Sequence, residues 1–90
     1  MTEPSDETLF QFPCRFPVKA MGRADSAIER AVVEILIRHV PGFDVTSITV
    51  RESKAGKWLA VTAVIEAHSK AQLDAIYQDL TDHELVVYAL

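Results

Sequence analysis

The chain has no asparagine, a single cysteine, three glycines and three histidines in 90 residues, and these scarcities remove whole classes of chemistry. One thiol, Cys14, can neither close an intrachain disulfide nor build a thiolate metal site alone. His39, His68 and His83 lack the short spacing to a second nitrogen or sulfur ligand that marks a zinc motif, so no metal and no cofactor is expected. No stretch approaches the roughly 18 consecutive apolar residues of a spanning helix. Met1 to Asp6 is acidic rather than the basic start of a secretory signal, and the expectation is a cytoplasmic protein without a membrane role. Lysine and arginine number 9 against 13 aspartates and glutamates, a formal charge of −4, which argues against nucleic acid as a partner because phosphate binding draws on clustered cations.

What the chain does have is apolar periodicity. Hydrophobic residues make up 49% of the sequence and charged residues 24%, which places it among globular chains of one two-layer domain. Residues 1–8 are polar, acidic and interrupted by Pro4, and are expected to form a loose leader ahead of a single domain over 9–90. Leu9, Phe10 and Phe12 are costly to leave in water and are expected to lie against that domain.

Arg15 to Met21 alternates, with Phe16, Val18 and Ala20 on one side and Pro17, Lys19 and Met21 on the other, the pattern of a half-buried strand. Pro17 has no N–H to give, so the firm ladder is expected to begin at Val18. Gly22 is expected to end the strand in a sharp turn, and Asp25 to cap the following helix. From Ser26 to His39 the residues Ile28, Ala31, Val32, Ile35 and Leu36 recur at helical spacing. Glu34 and Arg38 stand at i, i+4 on the wet side, and Pro41-Gly42 stops the run.

Val45 to Arg51 and Trp58 to Ala67 read as two strands joined by the turn Ser53-Lys54-Ala55-Gly56-Lys57. Ser69-Lys70-Ala71-Gln72 fits a capping box for a helix whose Leu73, Ile76, Tyr77 and Leu80 share one face. Glu84 to Leu90 reads as a final strand.

The order strand, helix, strand, strand, helix, strand predicts an α+β ferredoxin-like βαββαβ sandwich: a four-stranded antiparallel sheet with two helices on one face and the last strand beside the first. The expected core is Val18, Ile28, Val32, Ile35, Leu36, Ile48, Val50, Val61, Ile65, Leu73, Ile76, Leu80, Leu85 and Val87.

Several motifs in combination carry a resemblance: Phe12-Pro13-x-x-Phe16-Pro17-x-Lys19-x-Met21-Gly22, then Arg38-His39-x-Pro41-Gly42, Ser53-Lys54-x-Gly56-Lys57-Trp58, and the closing Val-Val-Tyr-Ala-Leu. Over Leu9 to Leu90 the chain resembles the YbeD-like family of small bacterial proteins of unknown function. The resemblance implies the same ferredoxin-like fold, a likeness to ACT-type regulatory domains that bind small effectors and pair through their sheets, and no catalytic residues. The leader here is longer and more acidic than is common in that family, and Trp58 stands where a tyrosine is common.

No enzyme is expected. An acylphosphatase-like reading needs an asparagine that the chain lacks, and an RNA-recognition reading needs aromatics at the middle of the first and third strands, where the third has Val61, Thr62 and Ala63. Two readings stay open. One is an interaction or regulatory module, a homodimer or a protein-partner binder, using Met21, Ala60, Val64, Val86 and Tyr88 on the sheet face away from the helices. The other is an effector-binding domain holding a small anion at Lys19, Gly22 and Arg23, where the first helix offers its N-terminus. What separates them is whether Lys19, Arg23, Lys54 and Lys57 converge on one pocket.

Overall fold

A computed structural model of the protein describes residues 11–90. The expectations for the leader, and for Leu9 and Phe10, lie outside the described residues. Strand β1 (Cys14–Arg23) leads to helix α1 (Ile28–His39), a single 3-10 turn (Val45–Ser47), strands β2 (Ile48–Glu52) and β3 (Trp58–Ala67), helix α2 (Lys70–Asp82) and the short strand β4 (Tyr88–Ala89). The four strands form one antiparallel sheet in the order β2-β3-β1-β4, the ferredoxin-like arrangement that the element order predicts.

Alternation along the two long strands sets the two faces of the sheet. Val18, Ala20, Val61, Ala63, Ile65 and Ala67 are buried with Ile28, Val32, Ile35, Leu36, Leu73, Ile76 and Leu80 of the helices in one core. Edge-to-face contact between Phe16 and Tyr77, with ring centroids 6.4 Å apart, extends it toward the start of β1. The Tyr77 hydroxyl donates to the Leu90 carbonyl and so ties the last residues to α2.

Two members of the expected core are not in it. Val50 lies 38% exposed and Val87 59% exposed. Val50 is level with the buried Val61, but β2 is the sheet edge and its outer side lies beyond the cover of the helices. Val87 precedes a strand far shorter than the sequence implies: Glu84 and Leu85 form a turn, and regular pairing with β1 is confined to Ala20↔Ala89 and Met21↔Tyr88. Backbone bonds from Val87 N–H to Met21 and between Lys19 and Leu90 flank that pairing. Ile48 and Leu85 are half-buried against the core.

The β1 ladder with β3 begins at Cys14, and Pro17 sits within it opposite Val64, earlier than the Val18 start expected. Lys19 donates its N–H toward β4, so the Pro17 nitrogen, two residues back, points to the same side and costs the β3 ladder nothing. Val45 to Ser47 is a 3-10 turn rather than strand because the Asp44 carboxylate accepts from the Thr46 N–H at 2.9 Å and caps it. In the hairpin turn Gly56 adopts φ +73°, the conformation glycine permits at low cost.

Gly22 is where the structure departs most from expectation. It lies inside β1, not at a turn after it, and its φ is not positive. A Cβ there would stand 2.6 Å from the Leu85 carbonyl oxygen and 2.7 and 2.8 Å from Cγ1 and Cδ1 of Ile28. Space, not dihedral freedom, demands glycine. The Leu85 oxygen is backbone and cannot rotate aside, so Gly22→Ala is expected to destabilise the fold by about 1–3 kcal/mol, read as a lower denaturant midpoint with an unchanged slope. An unchanged midpoint would contradict this close packing.

Candidate functional site

The sheet face turned away from α1 and α2 has no cover among the described residues. The register places Arg15, Pro17, Lys19, Met21 and Arg23 of β1 on it, level with Glu66, Val64, Thr62, Ala60 and Trp58 of β3. Thr49 and Arg51 of β2 lie level with Thr62 and Ala60, and Tyr88 lies level with Met21. Four cationic side chains and one carboxylate therefore share this face of an acidic protein.

One of the cations is committed. Arg23 donates from Nε and Nη2 to the two carboxylate oxygens of Asp25, at 3.0 and 3.1 Å. Its guanidinium also lies over the Trp58 ring, 5.9 Å from the centroid. Asp25 holds the Arg23 pKa up, and Arg23 holds the Asp25 carboxyl below the usual carboxylate range, by hydrogen bonding first and charge second. Arg15 stands opposite Glu66, whose carboxylate lies 3.3 Å from His68 Nε2. The side chains of Lys19 and Arg51 make no hydrogen bond or ion pair with any described residue.

Lys19 and Arg51 flank a trough of about 390 Å³ floored by Thr49, Ala60 and Thr62. Beside it lies a smaller, mainly apolar notch of about 120 Å³ formed by Lys19, Ala20, Met21, Ala60, Tyr88 and Leu90. Lys19 and Ala60 line both. The face thus offers two free cations and two hydroxyls next to an apolar recess, with half of Tyr88 and more than half of Leu90 in solvent.

The residues expected to receive a small anion do not come together. Lys19 sits on the open face, Gly22 is buried beneath Ile28 and Leu85, and Arg23 is held by Asp25. Helix α1 starts at Ile28, not next to Asp25, and has no side-chain cap; Asp25 is drawn to Arg23 instead, and the Ser26 hydroxyl donates to the Arg23 carbonyl at 2.7 Å. The depression beside the start of α1, about 440 Å³, is lined by Ser26, Ala27, Glu29, Arg30, Val33 and Leu59, with neither Lys19 nor Arg23. Lys54 and Lys57 are exposed at the hairpin tip, and the Lys57 carbonyl accepts from the Ala24 N–H.

Of the residues expected on the interaction face, Met21, Ala60 and Tyr88 adjoin one another and Val64 lies farther along, opposite Pro17. Val86 packs toward the core instead, because the chain leaves the sheet plane in the turn before β4. Alternation already sets Arg51 on this face with Lys19, Thr49 and Thr62; the register adds that it stands level with Ala60.

His39 is half-buried in a side-chain network between α1 and α2. Its Nε2 lies 2.6 Å from Asp79 Oδ2, which also accepts from Arg38 Nη1 at 2.9 Å. Gln72 Nε2 donates to the His39 carbonyl at 3.0 Å, while the Gln72 N–H donates to the Ser69 hydroxyl and Gln72 Oε1 accepts from the His68 N–H. These bonds clamp the end of α1 to α2. Arg38 is used here rather than with Glu34, which pairs with Arg30 at 3.4 Å. With no nucleophile beside it, the cluster reads as a structural tie. No group of three His, Cys, Asp or Glu side chains placed to hold a metal ion occurs among the described residues, and no helix among them is long and apolar enough to cross a membrane.

Residues 7–90 match a family described as "Protein of unknown function (DUF493)". The chain is 40% identical to UPF0250 protein NE1487 of Nitrosomonas europaea, with 96% of this chain and 99% of the relative covered. It is 41% identical to a UPF0250 protein of Neisseria gonorrhoeae, with both chains covered in full. None of these names carries an activity. The solution structure of protein HP0495 from H. pylori superposes with a TM-score of 0.69 at 17% identity, covering 100% of this chain and 94% of that one, a likeness of fold.

The clamp has a pH signature. The hydrogen bond from His39, and then the charges of His39 and Arg38, hold the Asp79 carboxyl below the usual range against an opposing effect of burial. A depressed carboxyl stabilises the fold above its unfolded value, about 3.9, and that contribution is lost as pH falls through the folded value. Asp79→Asn is therefore expected to be less stable than the parent near neutrality, with the gap narrowing on acidification below about pH 4. A gap that stays constant down to the acid end of a denaturation series would contradict the assignment.

Proposed function

The chain belongs to the DUF493 family of proteins of unknown function, whose curated UPF0250 members include its bacterial relatives and which is the YbeD family its motifs resemble, and on that premise we propose that it is a non-enzymatic interaction module acting through its open sheet face. The observation that carries this reading is the pair Lys19 and Arg51, two cations without internal partners, set beside the apolar notch of Met21, Ala60, Tyr88 and Leu90. Stability alone gives no reason to place like charges around exposed apolar surface in the middle of a sheet, whereas a partner that covers the face gains from both. The effector-binding alternative at the turn after β1 has less support, since Gly22 is occupied by packing and Arg23 by Asp25.

A photo-crosslinking amino acid placed at Thr62, on the open face, and separately at Glu34, on the outer side of α1, separates the readings in living cells. Discrete adducts are expected from position 62 and not from position 34, and Lys19→Glu combined with Arg51→Glu is expected to abolish them. Equal labelling from position 34, or no adduct from position 62, would overturn the module reading.

A further inference from the structure

Resting on that reading of the open face, we infer that its partner is an acidic amphipathic helix of another protein, which sets a carboxylate into the Lys19/Arg51 trough and an apolar side chain into the notch beside Tyr88. The inference rests on charge and spacing together. Lys19 and Arg51 stand on strands two positions apart in the sheet and two residues apart along it, Lys19 level with Thr62 and Arg51 level with Ala60, about 12 Å apart at a strand spacing of about 4.8 Å and a rise of about 3.4 Å per residue. That is wide enough for a carboxylate to reach both side chains from above, with the Thr49 and Thr62 hydroxyls beneath as donors.

The apolar notch shares Lys19 and Ala60 with the trough and extends from it over β1 to β4. Side chains at i and i+3 or i+4 of a helix lie on one face about 5–6 Å apart, so one helix face can present a carboxylate and an apolar side chain to two adjoining recesses. A helix laid on this face would also close the sheet on its second side, the layered arrangement by which sheets bury an apolar surface.

The same features disfavour other occupants. Nucleic acid would need stacking surfaces at the strand centres, where the face has Lys19 and Thr62; its tryptophan lies under Arg23 at the start of β3. A second copy pairing face to face about a two-fold axis through the trough would bring Lys19 and Arg51 against the same two cations of its partner, because such a contact uses the same patch on both copies.

The test uses the full chain and a synthetic helical peptide of about 18 residues, long enough to hold a helix, with glutamate and leucine at i and i+4 along one face. Its counterpart has lysine for glutamate. The acidic peptide is expected to give saturable shifts of the backbone amides of Lys19, Met21, Thr49, Ala60 and Thr62, with affinity that falls as salt is raised. Lys19→Glu or Arg51→Glu is expected to weaken binding at least tenfold, while Lys19→Arg is expected to bind within about twofold of the parent; both positions are exposed, so these variants are expected to fold normally.

No saturable shift, or shifts confined to the helices, would overturn the inference. So would equal binding of the lysine peptide, tighter binding of oligouridine, or the same shifts from inorganic phosphate at similar concentration. Self-association through the face that excludes the peptide would assign it to a second copy and also overturn it. Crosslinks from position 62 with a silent peptide remove the acidic helix but leave the module reading standing; the loss of both removes both.

Discussion

Gly22 fixes how the two halves of the sandwich meet. Its bare Cα lets the Leu85 carbonyl and the Ile28 side chain approach to distances that any Cβ would occupy. Because the turn before β4 comes down onto β1 at that point, β4 joins the sheet late and pairs regularly at only two residues. Because Ile28 fills the same space from the other side, α1 begins there, three residues beyond Asp25. The carboxylate of Asp25 is then left to Arg23. The shape of the open face follows: β4 delivers Tyr88 and Leu90 to the edge of a notch whose floor is Met21 and Ala60.

Charge is distributed just as unevenly as packing. The chain is acidic overall, yet the register gathers Arg15, Lys19, Arg23 and Arg51 on the side away from the helices. Arg23 has Asp25 and the Trp58 ring as neighbours, which lowers what it can offer a partner. Lys19 and Arg51 have no ion-pair partner among the described residues, and two unneutralised cations beside an apolar recess attract an acidic surface over a Debye length of about 8–10 Å and orient it on arrival. The tie between His39, Arg38 and Asp79 belongs to the opposite side and serves to hold α1 against α2.

Most of the fold was legible because its signals are local. The alternation in Phe16, Val18 and Ala20 and in Val61, Ala63 and Ile65, the spacing of Ile28 through Leu36, and the Ser69/Gln72 box each depend on residues within a few positions of one another. What was not legible depends on approach between distant segments. Nothing near Gly22 reveals that Leu85 will sit above it, so the glycine read as a turn. Asp25 looked like a cap because its competitor, the Arg23 side chain, wins only once β1 continues past Gly22. Val50 and Val87 have the right parity for the core, but parity does not say how far the helices reach over an edge strand. Within the candidate site Lys19, Met21, Arg51, Ala60 and Tyr88 were identifiable from alternation. The β2–β3 register then set Arg51 level with Ala60, and Val86 lost its place to the turn at Glu84 and Leu85.

The central claim is that the open sheet face is occupied when the protein works. Its most direct test is cysteine accessibility, measured in a Cys14→Ser background with Thr62→Cys or Glu34→Cys. Reaction with a membrane-permeant maleimide is followed in intact cells and with the purified protein. The account predicts that both positions react readily when purified and that only position 62 is protected in cells, with protection lost when Lys19 and Arg51 are changed to glutamate. Position 62 reacting as fast in cells as in the purified protein would contradict it.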